Sequence, residues 1–167
     1  MLLGDVLTVV ASIFGLGVST WALFVGSAFL FNRKTVRAQA ILESGPGKTF
    51  WVGLFFTFVI GALGLRLIAV PFPLAKLFGI AVLGLLIALV AVGGAGLSRV
   101  IADRIRHEDV SITPLPAVVR GALYIVLAAA MPLVGTLAIA PFVLIICAGA
   151  GARVLFSKAT EVVPSEA

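Results

Sequence analysis

The sequence predicts an all-α, polytopic integral membrane protein with about four or five hydrophobic helical segments. Of its 167 residues, 62% are hydrophobic and 11% are charged, whereas a water-soluble domain carries about 25% charged residues. Several uncharged stretches exceed the roughly 20 residues that a helix needs to cross the hydrocarbon core. Too few charges remain to cover a soluble surface, so lipid is the solvent for much of the chain.

The N-terminal segment, residues 1–32, is predicted to be one retained transmembrane helix. It has no positively charged start, and its apolar run is longer than the hydrophobic region of a signal peptide. Residues 33–49 follow as a predicted cytoplasmic loop. Within that loop, 35–42 has the composition of a short helix at the headgroups, and Gly45-Pro46-Gly47 breaks it.

A first transmembrane hairpin is predicted over residues 50–97, with a tight turn at Pro71-Phe72-Pro73. Residues 98–116 are predicted as a cytoplasmic helix and loop that continue the second arm. Leu97, Ile101 and Ile105 recur at helical spacing and form one apolar stripe. We expect this stripe to lie against a partner or the membrane surface.

The last apolar region, residues 117–156, is predicted to be a second hairpin, followed by a polar tail over 157–167. A straight helix over this region would measure about 60 Å, twice the thickness of the hydrocarbon core. Pro132 and Gly135 near its middle favour a turn there. Full spanning and re-entry both remain open, since re-entrant backbone is tolerated where other protein shields it.

The distribution of basic residues predicts the topology. All Lys and Arg residues except Arg66 and Lys76 fall in the segments on one side of this arrangement. Because cytoplasmic loops carry the excess of Lys and Arg, the N-terminus is predicted outside and the C-terminus in the cytoplasm, across a bacterial inner membrane.

Catalysis is not expected, and we predict no cofactor or metal. Intramembrane reactions and proton pathways use Asp, Glu, His or Lys inside the spans, and no acidic residue or histidine lies in the middle of any span. The single histidine, His107, falls in a predicted loop, and the single cysteine, Cys147, has no metal-ligand pattern around it. Nucleic acid is not an expected partner, because no basic stripe with interleaved aromatics exists.

Small residues at helical spacing are the positive signal for function. Such stripes let helix backbones approach closely in lipid. We expect most of them to pack within the chain, but span one is the best candidate for an external partner helix. The residues of its stripe are Ala11, Gly15, Ser19, Ala22 and Gly26.

Interfacial anchors are expected where basic or aromatic residues flank the spans. Aromatic residues also cluster in spans one and two, which leaves open a groove there for a lipid or pigment. The predicted anchors are Arg33, Lys34, Phe50, Trp51, Arg66 and Lys76.

Four short motifs carry a resemblance to a known family: Thr49-Phe50-Trp51-Val52-Gly53-Leu54, Gly93-Gly94-Ala95-Gly96-Leu97, Val119-Arg120-Gly121-Ala122 and Met131-Pro132-Leu133-Val134-Gly135. Over residues 49–156 the chain resembles the membrane segments attached to some bacterial bactofilin-like, polymer-forming proteins. The β-helical polymerising domain is not among these residues, so filament formation is not implied. The resemblance implies a bacterial membrane module for anchoring or scaffolding, and it supplies no catalytic residues.

Together these patterns favour a non-catalytic accessory or scaffolding subunit that acts through helix–helix contacts in a larger membrane complex. Its expected partners are membrane lipids and other membrane-protein subunits. The alternative is a small transporter or channel formed by oligomerisation, which requires a solvent-lined path.

Overall fold

A computed structural model describes residues 2–108, 111–131 and 134–156. These residues are 94% helical and contain no strand, so the predicted all-α fold is confirmed. A π-helical turn, Gly135–Ile139, leads into the last helix. The helices are α1 (Leu2–Leu30), α2 (Asn32–Ser44), α3 (Pro46–Ala69), α4 (Pro73–Glu108), α5 (Pro114–Ala130) and α6 (Ala140–Phe156).

The lengths of the apolar helices make this a multi-pass membrane protein. In the described ranges, four segments are long and apolar enough to cross a bilayer, and α5 is a shorter apolar helix. This confirms the expected four or five hydrophobic helical segments. The four segments are Val10–Leu30, Pro46–Ala69, Pro73–Glu108 and Gly135–Phe156.

The predicted loop over 33–49 contains helix α2, which includes the short helix expected over 35–42 and extends it at both ends. The helix runs from Asn32 to Ser44 and buries Thr35, Ala38 and Leu42, which share one face at helical spacing. Ala38 and Leu42 join one hydrophobic cluster with Ala150 and Val154 of α6. The segment is therefore packed on the bundle as a structural part of it.

Helix α4 is continuous over 36 residues, as the predicted extension of span three requires. Its apolar stripe does not lie free. Leu97 and Ile101 pack against a cluster formed by Phe24, Ala122 and Ile125. The expectation that this stripe meets an external partner is therefore wrong for these two residues.

Helix α4 contacts each of the other five helices, and α6, which packs on it, is buried over most of the stretch from Cys147 to Val154. Glycines let α6 approach α3 and α4 at the level of the backbone. A Cβ added to Gly149 would lie 2.8 Å from the amide nitrogen of Gly53, and one added to Gly93 would overlap the carbonyl oxygen of Cys147. Van der Waals packing of this kind is what holds helices together in lipid.

The small-residue stripes of spans two and three are used only in part within the chain. Gly53 and Gly64 of α3 are buried, as are Ala91 and Ala95 of α4. The small-residue stripe of α4 consists of Ala81, Gly84, Ala88, Ala91 and Ala95. By contrast, its first three residues are exposed. The expectation of packing within the chain is therefore correct only for the second half of this stripe, Ala91 and Ala95.

The second hairpin has its arms where they were predicted, in α5 and α6, while Pro132 and Leu133 of the predicted turn lie outside the described residues. The end of α6 lies near the start of α3, since Arg153 Nη1 donates a 2.8 Å hydrogen bond to Thr49 Oγ1. The first half of α5 packs on the second half of α4 at Gly121, beside the carbonyl of Ser98. Both ends of the hairpin thus lie at the end of the bundle that carries α2.

Candidate functional site: the two faces of helix α1

The predicted stripe of span one forms the outward face of α1, which points away from the bundle. Four of its residues are exposed and Gly26 is half-buried. A Cβ added to Gly15 or Gly26 would meet no atom of the described chain within 4 Å. The face comprises Ala11, Gly15, Ser19, Ala22 and Gly26.

The opposite, inward face of α1 carries Gly17, Trp21, Phe24 and Ala28. At about 100° per residue, these positions lie roughly opposite the outward face. Phe24 is 2% exposed, and its ring occupies a notch that a Cβ on Gly94 would fill. Trp21 Nε1 donates a 3.2 Å hydrogen bond to the carbonyl of Val119 in α5. This face was not predicted, although its residues recur in the sequence at the helical spacing of four, three and four.

Arg99 fastens the C-terminal end of α1 to α4. Its Nη2 donates to the carbonyl oxygen of Ala28 at 3.1 Å and to Asn32 Oδ1 at 2.7 Å. The last carbonyls of a helix have no partner within the helix and carry partial negative charge, so a guanidinium is well suited to this position. The sequence places Arg99 only among the basic residues of the predicted cytoplasmic side and gives no sign of this contact.

Polar contacts continue across the same end of the bundle and connect α2 to α4. Gln39 Nε2 donates to Asp103 Oδ2 at 2.5 Å and to Glu43 Oε1 at 3.1 Å. Arg106 lies 3.9 Å from Asp103, and both side chains are largely exposed, so this ion pair contributes little. These groups bond to one another and position the helices at this end of the bundle.

The predicted interfacial anchors fall into two groups. Arg33 and Lys34 begin α2, and Phe50 and Trp51 lie in the first turns of α3. Trp51 is 70% exposed, whereas Phe50 is half-buried and packs 5.4 Å from Phe142, measured between ring centroids.

The other group of anchors lies at the opposite end of the α3–α4 hairpin. Arg66 is in the last turn of α3, and Lys76 is in the first turn of α4. Both side chains are exposed.

The expected aromatic groove between spans one and two is wrong, because α1 and α3 do not touch within the described residues. The aromatic rings of α3 pack on α6 instead, with Phe56 5.5 Å from Phe156 between centroids. Cavities lie on the inward side of α1. One cavity of about 610 Å³ lies between α1 and α5. A second, of about 380 Å³, is lined by residues of α1, α4, α5 and α6.

The single histidine and the single cysteine of the chain lie on different helices. His107 is exposed in the last turn of α4, which corrects its predicted loop position, and Asp109 lies outside the described ranges. Cys147 is buried at the centre of α6. Over the ranges that are described, His, Cys, Asp and Glu form no group of three or more able to hold a metal ion.

Comparison with known proteins found no matching family model, no matching curated protein and no matching solved structure. The resemblance to bactofilin-associated membrane segments therefore stays a prediction.

Proposed function

We propose that this protein is a non-catalytic accessory or scaffolding subunit of a membrane complex, and that it binds a partner helix through the outward face of α1. The observation that carries the proposal is the lack of any neighbour over Gly15 and Gly26 among the described residues. On the inward side of the same helix, Phe24 and Trp21 pack against residues of α4 and α5.

Elsewhere in the bundle, small residues lie at close contacts between helices. Gly53, Gly93 and Gly149 each bring a neighbouring backbone into contact, and this close approach is how helices associate in lipid. The outward face of α1 offers five small residues over four turns, which is a longer surface of the same kind. A shorter exposed run on α4, centred on Gly84, spans only two turns.

The hydroxyl groups along α1 favour packing over conduction. Ser12 Oγ donates to the carbonyl of Thr8 at 2.7 Å, and Thr20 Oγ1 donates to the carbonyl of Leu16 at 2.8 Å. A hydroxyl that bonds to its own preceding turn is satisfied inside the helix. On the outward face itself, four of the five residues, all except Ser19, have no polar side-chain atom, which favours packing over the polar lining that a channel formed by oligomerisation requires.

We further propose that the end of the bundle carrying α2 faces the cytoplasm of a bacterial cell and that the N-terminus is outside. Arg33, Lys34, Arg99 and Arg153 all belong to this end, and an excess of Lys and Arg is typical of the cytoplasmic side. Arg66 and Lys76 at the opposite turn are the exceptions.

Substituting isoleucine for Gly15 and Gly26 is expected to lower the amount of co-purifying partner about tenfold or more, which corresponds to about 1.4 kcal/mol. The bulky side chains would hold the two backbones apart. The bundle itself should remain folded, because both positions are open. The measurement is quantitative mass spectrometry of proteins retained with the chain in mild detergent.

Gly61→Ile provides the matched control. Gly61 is also open to a Cβ, at least as far as the described atoms extend, but it lies in α3, away from the outward face. Partner retention should be unchanged in this variant. The proposal is contradicted if the Gly15 and Gly26 variant keeps its partner, or if the unaltered chain purifies alone.

A further inference from the structure

The lateral groove between α1 and α5 has a volume of about 610 Å³. It lies on the inward side of α1, beyond the point where Trp21 contacts α5. Binding pockets for small molecules measure about 300–1,000 Å³, so the groove is large enough for a ligand. Its walls include Val10, Phe14 and Gly17 of α1 and Leu123, Val126 and Leu127 of α5.

The groove is apolar and open to the side. Phe14 is 73% exposed and Leu127 is 55% exposed, so the groove faces the hydrocarbon region that surrounds the bundle. The one polar group of its lining side chains, Trp21 Nε1, already donates to Val119. From Val10 to Trp21 the groove is about 16 Å long at 1.5 Å per residue. This length can accommodate an extended hydrocarbon chain.

A positive charge lies on α5 one helical turn before the first groove-lining residue of that helix, Leu123. Arg120 is exposed and precedes Leu123 by three residues, so the two share one face of α5. It also follows Val119, which accepts the hydrogen bond from Trp21. The described residues offer Arg120 no carboxylate within ion-pair distance, and guanidinium groups recognise phosphate through charge-assisted hydrogen bonds.

We propose that the lateral groove binds one anionic phospholipid, with an acyl chain between α1 and α5 and its phosphate on Arg120. The site is independent of the proposed partner surface, because the groove and the outward face lie on opposite sides of α1. Lipid binding and partner binding can therefore fail separately.

The test is native mass spectrometry of the full chain, extracted with mild detergent from vesicles of equal parts phosphatidylglycerol and phosphatidylcholine. The unaltered protein should retain one phosphatidylglycerol per chain in preference to phosphatidylcholine. Arg120→Gln should lower that preference about fivefold, the effect expected for one basic side chain at an anionic lipid surface. Arg104→Gln, which removes an exposed charge from α4, should leave the preference unchanged.

A groove-filling variant tests the acyl-chain half of the site. Ala130 lines the groove and is exposed, so Ala130→Phe should remove retention of both lipids, while Ala81→Phe on the exposed side of α4 should not. The proposal is overturned if the unaltered chain retains both lipids equally, or if Arg120→Gln and Ala130→Phe leave retention unchanged. It is also overturned if Ala130→Phe abolishes a dimer, since a second copy would then be the occupant.

Discussion

Replacing Gly149 with valine is expected to prevent α6 from packing on α3 and to lower the free energy of unfolding by about 3 kcal/mol or more. A Cβ at this position would overlap the carbonyl oxygen of Thr49 and lie 2.9 Å from the Cα of Gly53. Forcing atoms into a packed core costs about 1–3 kcal/mol when side chains can shift. Here the obstructing atoms belong to backbone, so α6 itself has to move.

Thermal unfolding in detergent, followed by far-ultraviolet circular dichroism, measures this effect. Gly61→Val is the control, because Gly61 has open space on the described surface of α3. A substitution away from packed features changes stability by less than about 0.5 kcal/mol. Equal unfolding temperatures for the Gly149 variant and the unaltered protein would rule out the backbone contact between α3 and α6.

Replacing Gly94 with leucine is expected to lift α1 off the bundle, which is the second large effect. The Phe24 ring occupies the space of the missing Cβ and is 2% exposed. Because the ring would move from protein into lipid, which is equally apolar, the loss is one of van der Waals packing, the interaction that holds helices together in lipid. Since Trp21 packs beside Phe24, its indole should move from the interface with α5 into lipid.

Quenching of tryptophan fluorescence by brominated lipid reports this movement. The chain contains two tryptophans, so a Trp51→Phe background leaves Trp21 as the single reporter. Gly94→Leu should increase the quenching of Trp21, and adding Phe24→Ala should reverse the increase, because leucine then fills the space that the ring vacates. Unchanged quenching in the Gly94 variant would show that the notch does not hold α1.

The membrane-spanning helices were predictable from the sequence because apolar length is a local property. Their ends were marked by residues that break helices, such as Pro46 at the start of α3 and Pro73 at the start of α4. Apolar composition and helix-breaking residues were therefore enough to predict most of the helices.

Helix α2 was not predictable in the same way. Its composition is dominated by polar side chains, and its buried face is only Thr35, Ala38 and Leu42. This face is buried partly because Gly96 of α4, far away in the chain, lets α2 approach closely. A Cβ on Gly96 would lie 2.6 Å from the Cβ of Ala38, and a pairing between residues so far apart in the chain leaves no local pattern.

The position of the candidate site was predictable from the sequence, but spacing alone does not distinguish an exposed stripe from a buried one. Spacing identified the stripe from Ala11 to Gly26, yet the stripe from Ala91 to Ala95 in α4 has the same small residues and is buried. Which stripe stays open depends on where the other helices lie. The contacts that orient α1, from Arg99 to Asn32 and from Trp21 to Val119, join residues far apart in the chain.

Photo-crosslinking in intact membranes tests most directly whether the outward face of α1 contacts another protein. A photoreactive amino acid is placed in turn at Ala11, Gly15, Ser19 and Ala22, and then at inward positions such as Gly17 and Ala28. We expect adducts to a second protein chain at the outward positions and none at the inward ones, with the period of about 3.6 residues that a helix imposes. Adducts to lipid alone along the outward face would contradict the proposed role as an accessory or scaffolding subunit.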